Sequence, residues 1–256
     1  MPKFAANLTL LFNEVPFLER FEQAARAGFT AVEYLFPYDY EPARLATLLK
    51  DHGLIQVLHN MPPGDWDAGE RGIAILPDRV DEFKAGVDRT IEYASALGCP
   101  QVNCLAGLTP ADIDNDRLYA TLVSNLQYAA PLLKQHNIKL LVEAINYHDI
   151  PGFYLNTSAQ AEALINDVGS DNLFFQYDIY HMQIMEGNLA NTIKRLLPLI
   201  PHMQLADNPG RHEPGTGEIN YPWVFEYLDT LGYDGYIGCE YRPLGTTTEG
   251  LGWLPS

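Results

Sequence analysis

Four runs of mostly apolar residues stop at groups able to do chemistry. Ile138 to Val142 ends at Glu143, Leu173 to Tyr177 at Asp178, and Gly235 to Cys239 at Glu240. A fourth run, through Leu199 and Ile200 to Met203, ends at the amide of Gln204. Brought to one point, three carboxylates repel one another and hold protons more tightly, a cost that a divalent cation removes. The ligands would be all oxygen, which favours Mg²⁺ or Mn²⁺ in octahedral geometry over zinc. Up to two positions would remain for water, or for two oxygens of a vicinal hydroxy-carbonyl compound. A single acid at a strand end is more often a helix cap or a surface residue. Four such positions on consecutive strands point to a metal site formed by Glu143, Asp178, Gln204 and Glu240.

Further groups lie within reach of the same point. His181, three residues after Asp178 in Asp-Ile-Tyr-His, is placed to reach over the pocket and bind substrate. His59, at the end of the third apolar run, is either a second substrate contact or a packed ring. Arg71, Arg211, His212 and Arg242 are the basic groups near expected loops, and a guanidinium matches the geometry of a carboxylate. Arg211 leads as the partner of a substrate anion, with Arg71 as a second contact. His52, His136 and His202 read as surface or core residues, and Cys239 as core. No P-loop, serine nucleophile elbow or Cys-x-x-Cys pair is present.

The positions make sense only if the strand ends share a face. In chain order, strands are expected at 4–8, 30–34, 54–58, 100–105, 138–142, 173–177, 202–205 and 235–239. Helices are expected at 16–28, from Pro42 to Gly53, and at 78–97, 117–136, 157–168, 188–197 and 221–231, several with Pro at the start or Gly at the stop. The eighth helix is ill-defined, because 243–256 looks irregular. Eight strand–helix units without a linker imply a single-domain (β/α)8 barrel over 1–256, with its active site at the C-terminal strand ends. The competing arrangement is an open doubly wound sheet, but no Gly-x-Gly-x-x-Gly follows a strand. Two long loops rich in Gly and Pro stand out. Residues 59–77, with Trp66, Glu70 and Arg71, form a candidate lid, and 206–220 a candidate active-site loop.

Composition narrows the class. The chain has 256 residues, of which 47% are hydrophobic, enough for a barrel-sized core. A formal charge of −17 repels nucleic acid. The three cysteines, Cys99, Cys104 and Cys239, show no metal spacing and fit a reduced compartment. No apolar run approaches a membrane span, and the expected location is the cytoplasm. The expected partner is a small 2-oxo or hydroxy acid, with no organic cofactor; the composition leaves room for a homo-oligomer.

Several stretches together resemble the hydroxypyruvate isomerase family within the xylose isomerase-like TIM-barrel superfamily. They are FAANLTLLF at Phe4, EYLFPYDY at Glu33, HNMPPGDWDAGERGI at His59, YDIYHMQIMEGN at Tyr177, ADNPGRHEPGTGEINY at Ala206 and GCEY at Gly238. The resemblance spans nearly the whole chain. It implies Glu143 and Glu240 as the catalytic acid/base pair, and Glu143, Asp178, Gln204 and Glu240 as metal ligands. Many superfamily sugar epimerases carry His where this chain has Gln204. The implied reaction is the interconversion of hydroxypyruvate and 2-hydroxy-3-oxopropanoate through a metal-stabilised enediolate. The alternatives are an isomerase or epimerase of a longer 2-oxo acid, such as 2-oxo-tetronate, or of a ketose. A metal-dependent endonuclease on the same fold would need a His-rich zinc site and a basic face, and the charge opposes it. A non-catalytic barrel would not need all four ligands.

Overall fold

The strands are largely buried on both faces, with apolar residues interrupted by polar ones such as Asn60, Asn103, Gln176 and Gln204. The computed structural model describes residues 2–254. Its strands are β1 (Lys3–Asn7), β2 (Ala31–Glu33), β3 (Ile55–Asn60), β4 (Gln101–Cys104), β5 (Lys139–Glu143), β6 (Leu173–Asp178), β7 (His202–Leu205) and β8 (Tyr236–Cys239). All pair in parallel in sequence order, and β1 closes the ring on β8 through Phe4 opposite Ile237 and Ala6 opposite Cys239. The chain is a closed single-domain (β/α)8 barrel. Among the described residues no helix is long and apolar enough to cross a membrane.

The connecting helices are α1 (Arg20–Arg26), α2 (Pro42–Asp51), α3 (Val80–Leu97), α4 (Asn115–Gln135), α5 (Ser158–Val168), α6 (Ile179–Met185), α7 (Leu189–Leu196) and α8 (Tyr221–Thr230). Their ends are written in the sequence. Thr157 and Gln160 form a reciprocal capping box at the start of α5, and left-handed Gly169 ends it. Pro42 and Pro222 sit in first turns, where a missing N–H costs nothing.

Three elements differ from expectation. The first helix begins at Arg20, because Phe17–Glu19 winds as a tighter 3-10 turn. β3 runs on to Asn60, where Asn60 pairs with Asn103 of β4. A short helix, α6, starts directly after Asp178, where no helix was expected. As expected, no long helix follows β8 among the described residues. A 3-10 turn at Glu249–Leu251 precedes Trp253, whose ring lies 5.2 Å from Phe4 and 5.9 Å from Phe225 and packs there in place of a helix. Pro255 and Ser256, the end of the irregular segment, lie outside the described residues.

The segment after β3 is tied to the barrel by backbone contact. Gly72 has φ +110°, and a Cβ there would stand 2.2 Å from the carbonyl oxygen of Leu105. That obstacle is backbone and cannot rotate away. Gly72→Ala is therefore expected to cost about 2–4 kcal/mol, read as a lower midpoint in urea denaturation; an unchanged midpoint would show that the segment is not clamped there.

Candidate active site

Strand alternation places every second side chain inside the barrel. Glu143, Asp178 and Gln204 close β5, β6 and the inward positions of β7, and Glu240 follows β8. Register fixes their neighbours: Glu143 lies opposite Gln176, Asp178 opposite Gln204, and Gln204 opposite Gly238. Above them opens a cavity of about 690 Å³ whose walls include Trp66, Arg71, Glu143, His181, Arg211 and Glu240. A separate cavity of about 420 Å³, walled by Pro214, Tyr221, Phe225 and Trp253, contains none of these convergent groups.

The acids are held differently. One oxygen of Glu143 accepts from Asn103 Nδ2 at 2.8 Å. Burial pushes the Glu143 carboxyl well up, and the negative charges of Glu240 and Asp178 push the same way. Asp178 caps α6, its Oδ1 accepting from the N–H groups of Tyr180 and His181 at 2.8 and 3.2 Å. Its Oδ2 is buried with no hydrogen-bond partner. Glu240 accepts from Arg211 Nη2 at 2.9 Å. Burial raises this carboxyl too, against the opposing pull of Arg211.

Arg211 is the counter-charge of the site. Its Nη2 also stands 3.8 Å from Asp178 Oδ2, its Nη1 is 3.8 Å from Asp149 Oδ2, and the guanidinium lies over the Tyr180 ring. The residue occupies a left-handed conformation, φ 58°. Buried Asp207 knots the loop that carries it, accepting from the N–H groups of Asn208, Gly215 and Ile219.

His181 has a defined polarity. Asn146 Oδ1 accepts from the Asp149 N–H, so its Nδ2 faces His181 Nδ1 at 2.7 Å. That leaves Nδ1 as the acceptor and Nε2 as the donor of a neutral ring. Burial holds the imidazole down to about 4. Nε2 points between Asp178 Oδ2 at 3.5 Å and Glu143 Oε1 at 4.0 Å.

Donor atoms of Glu143, Asp178 and His181 all lie within 4.8 Å of one another, a spacing that can hold a metal ion. The unpartnered Asp178 Oδ2 is the strongest sign that the donor set fits a cation, since buried carboxylate oxygens are otherwise satisfied. Gln204 stands beside this set on β7, with its carbonyl accepting from Gln176 Nε2 at 2.6 Å and its Nε2 donating to Glu33.

Of the other expected contacts, Arg71 lines the cavity, with its guanidinium 4.0 Å above the Trp66 ring and Nη1 donating to the carbonyls of Trp66 and Glu70. His59 does not line it. Because β3 extends to Asn60, His59 turns outward, edge-on to Tyr38, and Asn60 takes the inward position. His212 hydrogen-bonds the Arg242 carbonyl, and Cys239 packs in the core. Sequence reasoning missed Asn103, Asn146, Glu33 and Gln176. Asn103 follows Gln101, and Gln176 precedes Asp178, each at a spacing of two within an apolar strand. That spacing puts both members of a pair on the barrel interior, and it was a usable signal.

The family model described as the xylose isomerase-like TIM barrel matches residues 21–256, and the chain belongs to that family. It is 53% identical over 254 residues to hydroxypyruvate isomerase of Escherichia coli (strain K12), covering 99% of this chain and 98% of that one. It is 50% identical over 254 residues to 2-oxo-tetronate isomerase of Cupriavidus necator, with the same coverage. A crystal structure described as AP endonuclease, family 2, from Brucella melitensis superposes with a TM-score of 0.97 at 47% identity, covering 99% of this chain and 98% of that one.

Removing Arg211 leaves buried carboxylates facing each other without a counter-charge. Arg211→Leu is expected to destabilise the chelator-treated protein by about 3–5 kcal/mol, measured by urea unfolding in EDTA. Unchanged stability would show that the site does not depend on this guanidinium.

Proposed function

We propose that this member of the xylose isomerase-like TIM barrel family is a divalent-metal-dependent isomerase that interconverts hydroxypyruvate and 2-hydroxy-3-oxopropanoate. The observation that carries the reading is one cavity flanked by two buried glutamates, Glu143 and Glu240, with the unpartnered oxygen of Asp178 between their strands. The 53% identity to a hydroxypyruvate isomerase over nearly the full chain supports it.

Glu143, Asp178, Gln204 and Glu240 would hold Mg²⁺ or Mn²⁺, which supplies Lewis-acid polarisation of the substrate carbonyl and offsets charge on its oxygens. Arg211 engages only Oε2 of Glu240, which leaves Oε1 for a cation. The chain's own residues do the rest. One glutamate removes a proton from C3 of hydroxypyruvate, and the C3–H electrons form the C2–C3 double bond as the C2 carbonyl becomes an enediolate oxygen. The other glutamate delivers a proton to C2, and the C3 hydroxyl proton passes to the C2 oxygen, so that C3 becomes the aldehyde and C2 carries the hydroxyl. His181, a neutral Nε2–H donor, hydrogen-bonds a substrate oxygen rather than ligating the cation. Arg211 and Arg71 are the groups for the carboxylate. His59 faces away from the cavity and has no part in this reading. The loop that follows β3, residues 61–77, covers the site as a lid through Trp66 and Arg71 and keeps water from the reactive intermediate. The chain's acidity fits a cytoplasmic enzyme that does not bind nucleic acid.

A second reading has a specific observation behind it. The cavity, about 690 Å³, exceeds what a three-carbon acid fills, and the Cupriavidus necator relative is named for a four-carbon substrate. The same site chemistry serves 2-oxo-tetronate.

The test uses protein stripped with chelator, reloaded with Mg²⁺ or Mn²⁺, and given hydroxypyruvate or 2-oxo-tetronate in D₂O under NMR. Metal-dependent conversion with deuterium entering at carbon is expected, and the ratio of kcat/KM values ranks the two substrates. Glu143→Gln and Glu240→Gln should each lower kcat by about 10²–10⁴-fold. Full activity in either variant removes the two-glutamate mechanism, and no turnover of either acid with any metal removes the isomerase assignment.

A further inference from the structure

A buried acid that the reaction does not use sits beneath the site. Glu33 closes β2 and is fully buried. Its carboxylate reaches across the barrel interior toward β7 and β8. Oε1 accepts from Asn7 Nδ2 at 2.9 Å and from Gln204 Nε2 at 2.8 Å, and Oε2 meets His202 Nε2 at 2.7 Å. The barrel makes room for it: a Cβ on Gly238 would lie 2.2 Å from Glu33 Oε1. A carboxyl group is costly to bury unless it is hydrogen-bonded, and both oxygens of Glu33 are.

An amide alone has no preferred face. Gln204 could present oxygen or NH₂ to the cavity side, because its two ends are nearly the same shape. Glu33 Oε1 already accepts from Asn7 Nδ2, so the atom it turns toward Gln204 is an acceptor. Glu33 therefore draws the NH₂ of Gln204 to itself and turns the carbonyl away. The next link shows the same direction, since Gln204 Oε1 accepts from Gln176 Nε2 at 2.6 Å, and Gln176 Oε1 is left buried without a partner. A carbonyl oxygen has a second lone pair after that bond, whereas NH₂ would repel a cation.

We infer that Glu33 is a positioning residue that fixes the amide of Gln204 so that its oxygen, not its nitrogen, is offered to a divalent cation. The inference rests on Gln204 being a ligand, as in the proposed function. His202 and Asn7 hold Glu33 in place and complete its hydrogen bonds.

The test is Mn²⁺ affinity, read as free Mn²⁺ by electron paramagnetic resonance without substrate. Glu33→Asp keeps the charge and withdraws the acceptor by one methylene. It should weaken Mn²⁺ binding about 10–100-fold, and Gln204→Ala should do likewise. The double variant Glu33→Asp/Gln204→Ala should bind no more weakly than Gln204→Ala alone, because both changes remove one interaction. Wild-type affinity in Glu33→Asp alongside a loss in Gln204→Ala reduces Glu33 to a structural role and overturns the inference. Additive losses overturn it as well, since Glu33 would then act by another route. Wild-type affinity in Gln204→Ala overturns it through its premise, and does so without touching the turnover assay of the two glutamates. If Glu33→Asp does not fold, Glu33→Leu/His202→Leu replaces the buried pair with apolar side chains, which folds usually tolerate, and the same readings apply.

Discussion

The structure is governed by the cost of gathering negative charge in one buried place. Glu143, Asp178 and Glu240 share the C-terminal mouth of the barrel, and all are nearly inaccessible to water. Desolvation and mutual repulsion act together on them, and pKa shifts at Glu143 and Glu240 show both effects. One guanidinium, that of Arg211, offsets this charge at 2.9 Å from Glu240 and 3.8 Å from Asp178. Much of the loop from 206 to 220 serves to put it there. Asp207 spends its carboxylate on three backbone N–H groups of its own loop, Tyr221 donates to the Ala206 carbonyl, and the Arg211 carbonyl accepts from the Arg242 N–H. A loop with that much internal bonding is a rigid mount for the guanidinium.

Below the mouth, the same problem is solved with neutral amides. Asn60, Asn103, Gln176 and Gln204 occupy inward positions where aliphatic residues would pack more simply. Each amide passes hydrogen-bond direction to the next group: Asn103 donates both to Glu143 and to Asn60 Oδ1, and Gln176 donates to Gln204. Donor direction in such a network is set where an amide NH₂ meets an accepting carboxyl oxygen. Glu143, accepting from Asn103 Nδ2, and Glu33, accepting from Gln204 Nε2, are those ends. The interior of this barrel therefore acts as an ordered polar layer beneath the reactive one.

The fold was legible because it depends on repetition. Eight apolar runs alternating with amphipathic ones leave few topologies, and turn residues such as Gly98, Gly169 and Pro42 punctuate them. The four expected ligands were legible for a related reason: each ends an apolar run, where a polar side chain must be explained. What failed was information carried by the third dimension. His59 was placed at a strand end, but two further residues of pairing with β4 turned it outward. No helix was expected between Asp178 and residue 188, yet Asp178 caps one, and that cap is what commits one of its oxygens to backbone and frees the other. Glu33 lies 171 residues from Gln204 in sequence, and only barrel closure brings them together.

Family membership fixes the architecture but leaves the chemistry to a few orientations. His181 illustrates this. By position alone it belongs with Glu143 and Asp178 as a possible donor to a metal. Asn146 removes that freedom. Its own carbonyl is committed to the Asp149 N–H, so only its NH₂ can face His181 Nδ1, and Nε2 must then carry the ring proton. An N–H cannot ligate a cation, whereas it can donate to an oxygen bound beside one. The difference between a histidine ligand and a histidine that reads substrate is set here by an asparagine two elements away.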